Sequence, residues 1–151
     1  MAETKGAKRR DEATDTWTAE EKAAMQEHAK ELKAARGAKT ADGEADLQAK
    51  IAAMPAEDRR LAERIDALVK ATAPELTSRT WYGMPAYSKD GKLICFFQAA
   101  AKFKARYATF GFEQNARIDD GSMWPTSFAI TTDFSAADEA KLKELIAKAA
   151  S

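Results

Sequence analysis

Histidine and cysteine are nearly missing from this chain: His28 and Cys95 are the sole representatives of each. One cysteine cannot close an internal disulfide, so a reducing, cytoplasmic setting is expected. His28 and Cys95 lie far apart in sequence, and a Cys–His nucleophile pair needs hydrogen-bond contact and a third, orienting group. Cys95 stands between Ile94 and Phe96 in an apolar run, where an inert buried thiol is expected. There is no Gly-rich phosphate loop and no Ser in a nucleophile elbow. The chain therefore reads as a non-enzyme. Neither sign of charge is in excess, with 24 bases against 24 acids. That balance argues against nucleic-acid binding driven by a basic surface and against a polybasic membrane anchor. No apolar run approaches the roughly 18 residues of a membrane span, and the charged start MAETKGAKRRDEATD has no apolar segment behind it to make a secretory signal.

What is present is enough for one domain. A chain of 151 residues can bury a core without disulfide or metal. Residues 1–16 carry almost no large apolar side chain and are expected to form a disordered tail. Residues 17–43 read as an accessory helix and polar linker, and 44–151 as an α+β domain. Thr18 and Glu21 have capping-box spacing, and a helix of Ala, Lys and Glu follows to Arg36, with Gly37 as its C-terminal cap. Its thin apolar stripe is Met25, Ala29 and Leu32. Glu20, Ala24, Glu27, His28 and Glu31 share another face, which reads as solvated.

Lys39 to Gly43 reads as linker, followed by a short helix with Leu47, Ile51 and Met54 on one side. Pro55 ends that helix or opens the next. The next has the strongest period, with Leu61, Ile65, Leu68 and Val69 at i, i+4, i+7 and i+8, until Pro74. Thr80, Trp81 and Tyr82 are strand formers, and Gly83 and Pro85 predict a bulge or kink beside them. Asp90-Gly91 predicts a tight hairpin. Leu93 to Phe97 is uniformly apolar, the pattern of a strand covered on both faces. From Lys102 to about Phe110 strict alternation predicts a strand with Lys102, Lys104 and Arg106 on one face and Phe103, Ala105 and Tyr107 on the other. Gly111 to Ser122 reads as loop. Trp124, Phe128 and Ile130 suggest a further strand, and Ser135 and Asp138 start a last helix buried through Leu142, Leu145, Ile146 and Ala149.

The segment WYGMPAY, a hairpin, a hydrophobic strand ending at Phe97-Gln98 and then KFKARY resembles the YdhG-like family of bacterial domains over roughly Leu47 to Ala149, with Gly83 to Tyr87 its specific part. The resemblance implies N-terminal helices packed on one face of a twisted antiparallel sheet with a C-terminal helix, a fold related to frataxin. It also implies one activity, since some members have been proposed as iron chaperones for iron–sulfur assembly. The helix before Arg36 is additional to the simplest members, and the long helix that many members place after Phe110 is lacking.

Two functional expectations follow. Trp81, Tyr82, Met84, Tyr87 and Trp124, beside the Lys102, Lys104 and Arg106 stripe, form a candidate face for a small anionic, partly apolar ligand or a protein partner. The alternative, carried by the resemblance alone, is iron binding. No other cofactor is expected. The helix Glu57 to Asp66 mixes its acids with Arg59, Arg60 and Arg64 and so offers no acidic ridge.

Overall fold

The computed structural model describes residues 17–35 and 40–151. The expected tail over 1–16 and the Gly37 cap lie outside them. Helices α1 (Ala19–Ala35), α2 (Thr40–Ala52) and α3 (Ala56–Thr72) precede strands β1 (Thr77–Trp81), β2 (Met84–Lys89) and β3 (Lys92–Gln98). A 3-10 turn (Ala100–Phe103), β4 (Ala108–Phe112), β5 (Ser127–Ile130) and α4 (Ala136–Ala150) complete the chain. The five strands form one open antiparallel sheet in sequence order. The α+β class is as the ordering of helical and strand periods predicts, and α4 lies beside α3.

Helix boundaries follow local chemistry. Thr18 Oγ1 accepts from the Glu21 N–H at 3.1 Å, and Pro55 caps α3. Ser135 and Asp138 form a reciprocal capping box on α4. The expected linker over Lys39 to Gly43 is corrected where it can be seen, because α2 already begins at Thr40. Gly43 is inside the helix for its smallness: a Cβ there would sit 2.5 Å from the Ser78 carbonyl oxygen of β1. Close approach of helix to strand, rather than a turn, explains this glycine.

Tyr87, Cys95, Phe97, Phe110, Ile130 and their neighbours meet Leu47, Ile51, Leu61, Ile65, Val69, Leu142 and Ile146 in one core. Ile94 and Cys95, on opposite faces of β3, are both buried, as the apolar run predicts. On the face away from the helices Phe96 lies over Gly111, where a Cβ would come within 2.3 Å of the ring. The loop after β4 is less polar in function than in composition, because Ala116 and Ile118 fold back into the core.

Two parts of the central stretch differ from expectation. Gly83 is not a bulge. Tyr82 and Gly83, with φ of 52° and 76°, are the two central residues of a tight turn joining Trp81 to its partner Met84, and the real irregularity in β2 falls at Tyr87/Ser88. Asp90 and Gly91 repeat the same positive-φ pair at the next hairpin. The strand expected from Lys102 begins only at Ala108. Asp58 of α3 reaches across and accepts the N–H groups of Ala100 and Ala101 at 3.1 and 3.2 Å. That carboxylate caps a helical turn, and Lys104 then adopts a left-handed φ of 54°. A tertiary contact has overruled the alternating pattern.

Candidate functional site

The Tyr82–Gly83 hairpin and the 3-10 turn project from the same end of the sheet, and α1 lies against both. The glycine at position 83 makes this approach possible, because a Cβ would fall 1.6 Å from Glu27 Oε2. Glu31 accepts two consecutive backbone N–H groups, from Tyr82 at 2.8 Å and Gly83 at 2.7 Å. His28 stacks on the Tyr82 ring at 3.9 Å and 10°. Tyr82 meets Trp81 edge-on, and Trp81 meets Phe96 at 5.2 Å. An aromatic row thus runs from α1 over the hairpin onto the outer face of the sheet.

The face of α1 that reads as solvated is therefore the docked one. Ala24 is buried, Glu20 pairs with Lys104 at 2.9 Å, and Glu27 Oε2 lies 3.0 Å from Lys50 Nζ and 3.8 Å from Lys102 Nζ. The thin apolar stripe points outward instead: Met25 is 43% exposed and Leu32 54%. Lys104 holds the Glu20 carboxyl below its ordinary range, chiefly by hydrogen bonding.

Between the end of α2, this hairpin and the 3-10 turn lies a cleft of about 270 Å³. Met54, Pro55, Met84, Pro85 and Phe97 make its apolar walls, and Lys50, Lys102 and Glu27 its charged rim. Among the described residues Glu27 is the only acid lining it. Its Oε2 is shut from solvent and makes no hydrogen bond, so Lys50 is an ion-pair neighbour at a poor angle despite the 3.0 Å separation.

The candidate residues are only partly brought together. Met84 and Lys102 line the cleft, and Trp81 and Tyr82 stand next to it in the aromatic row. Lys102, Lys104 and Arg106 share no sheet face, because the strand that would have aligned them does not form. Arg106 lies over the Tyr107 ring at 5.0 Å on the surface. Tyr87 belongs to the core and donates from its hydroxyl to Asp66 at 2.7 Å. Trp124 borders a different hollow with Met123 and Ile118. Lys50, Met54, Phe97 and Glu27 complete the cleft; only their meeting in space makes them notable, and no spacing in the sequence signals it.

A second polar cluster holds α2, α3 and the sheet together. Asp66 Oδ2 accepts from Gln48 at 2.9 Å and Lys70 at 2.8 Å, and Lys70 also pairs with Glu44. Burial, reinforced by the Asp66 charge, pushes the Tyr87 phenol well above its ordinary range, so it remains a donor. Burial works against ionisation of both Glu44 and Lys70, but their mutual hydrogen bonds and those from neighbours outweigh it. The net shifts are down for Glu44 and up for Lys70. Burial also raises the Cys95 thiol far out of the reactive range.

Among the described residues no three His, Cys, Asp or Glu side chains gather in the manner of a metal site, and no helix is long and apolar enough to cross a membrane. No family model, curated protein or solved structure matches this chain.

Proposed function

We propose that this is a non-enzymatic, cytoplasmic ligand-binding domain of YdhG-like type that takes a small, partly apolar anion in the cleft beside Met84 and Lys102. One observation carries the reading: an apolar-walled cleft whose two ammonium groups, Lys50 and Lys102, share a single carboxylate, Glu27. Few, well-placed polar groups around an apolar hollow are the general form of a small-molecule site. At about 270 Å³ the cleft falls just short of the roughly 300 Å³ at which drug-sized pockets begin, so the ligand is small. The iron reading rests on the family resemblance alone, and no donor set among the described residues speaks for it.

Titration with hexanoate and with phenylacetate, followed by amide NMR, tests the proposal. Saturable shifts are expected at Met84, Ala101 and Lys102. Ala101 is exposed and lines the cleft, so Ala101→Trp should block entry without disturbing the core. Absence of saturation at these amides, or equal shifts in Ala101→Trp, would overturn the assignment.

A further inference from the structure

The anion that the cationic rim calls for already has a substitute in the same chain. Glu27 Oε2 lies within ion-pair range of both ammonium groups and occupies the space that a Cβ on Gly83 would need. One carboxylate fills the gap between Lys50 and Lys102, and a second cannot reach both. We infer that Glu27 holds the seat of the ligand's own carboxylate, that the ligand is a small monocarboxylate with an apolar body, and that it enters by displacing Glu27 and loosening α1. This rests on the cleft being a ligand site, as proposed above.

Three features make the exchange chemically reasonable. Charge is conserved, since one carboxylate replaces another between the same two cations. The seat is imperfectly filled, because Glu27 Oε2 is sealed from water yet makes no hydrogen bond; a free carboxylate can orient both oxygens toward the ammonium groups, whereas Glu27 is tethered to a helix. The rest of the α1 contact is of a reversible kind. Lys104, which pairs with Glu20, has an 80% exposed side chain, and such pairs contribute little. Ala24 is the one buried apolar residue of α1 among those described. The firmest remaining hold is Glu31 on the Tyr82 and Gly83 amides.

Ligand and docked α1 then exclude one another. The apparent affinity is lowered by the fraction of molecules in which α1 is seated, and anything that unseats α1 raises it. Glu31 does not line the cleft but shares the adjoining hollow with Glu27 and Lys50. Its replacement therefore acts through the helix and also through the lost charge, and exchange at the Tyr82 and Gly83 amides tells the two apart.

The experiment compares hexanoate binding to the wild type, Glu31→Gln and Glu21→Gln. The last removes the same charge from an exposed position of α1 and serves as the electrostatic control. Glu31→Gln should bind about tenfold more tightly, by the loss of a charge-assisted hydrogen bond that held the competitor in place, while Glu21→Gln should match the wild type. In the wild type, hexanoate should also speed hydrogen exchange at the Tyr82 and Gly83 amides. If hexanoate binds all three proteins equally and leaves those amides as protected as before, the displacement is wrong while the ligand site stands. If hexanoate binds none of them, the site itself fails, and the displacement with it.

Discussion

Helices α1 and α3 are each 17 residues long and are attached by opposite means. α3 buries Leu61, Ala62, Ile65, Leu68 and Val69. α1 turns Glu20, Glu27 and Glu31 inward and leaves Met25 and Leu32 to the solvent. Each large apolar side chain of α3 contributes roughly 2 kcal/mol on burial, a term that salt does not screen. The attachments of α1 are charged: the ion pairs of Glu20 and Glu27 are partly wet and weakened by salt, and the firmest hold is Glu31 on two backbone amides. One helix is thus part of the core, and the other is a fitting on its surface. Helical propensity alone does not distinguish them.

The largest effect expected on this contrast comes from α3. Ile65 is fully buried, so Ile65→Ala should lower the unfolding free energy by about 3 kcal/mol, read from urea melts. A loss below about 1 kcal/mol would put α3 in the same class as α1. Tyr87→Phe should cost about 1–2 kcal/mol, because Asp66 Oδ1 loses its donor while remaining buried; an unchanged urea midpoint would show that water replaces the hydroxyl.

Acid and base should act on the α2–α3 seam with opposite signs. The Glu44 carboxyl is held below its ordinary range, so its stabilisation is complete above that range and is lost as pH falls through its folded value. Lys70 is held above its ordinary range, so its stabilisation is complete below the lysine range and is lost as pH rises through the higher folded value. Glu44→Gln should therefore flatten the acid side of a stability–pH curve, and Lys70→Met the alkaline side. The reverse assignment would contradict the pairing.

Raising salt to about 0.5 M, where screening lengths fall well below 10 Å, should speed exchange along α1 and at the Tyr82 and Gly83 amides without moving the exchange of α3. Equal changes in both helices would mean that α1 unfolds only with the domain. The smallest effect belongs to the exposed stripe: Met25→Ser with Leu32→Ser should stay within about half a kcal/mol per site. A larger destabilisation in thermal melts would place that stripe in contact with something.

The same contrast explains what the sequence made legible. Periodic apolar residues such as Leu61, Ile65, Leu142 and Ile146 carry their own instruction, since burial is local to the pattern. Caps at Thr18, Pro55 and Ser135 and the Asp90-Gly91 turn are likewise local. Alternation at Lys102 to Tyr107 failed because the deciding atoms belong to Asp58, some 40 positions away. Gly83 looked like an interruption because a turn glycine and a bulge glycine are the same letter. The face of His28 looked solvated because its partners are two backbone amides and scattered lysines, which leave no hydrophobic period. For the cleft, Met84 and Lys102 were visible in the sequence but Lys50 and Phe97 were not, since their roles depend on where α2 and β3 end.

Cys95 gives the protein a built-in reporter of its own opening. Its thiol is fully buried in β3, with a partner strand on either side, and burial suppresses its ionisation. The core packed on that face covers the sulfur, so an alkylating reagent reaches it only when that core comes apart, and the labelling rate in native buffer counts whole-domain openings. The same reagent does not register the detachment of α1, because Cys95 packs in a core to which α1 contributes no described residue. Alkylation at one cysteine and hydrogen exchange at two hairpin amides therefore keep separate clocks, one for the life of the domain and one for the comings and goings of its outermost helix.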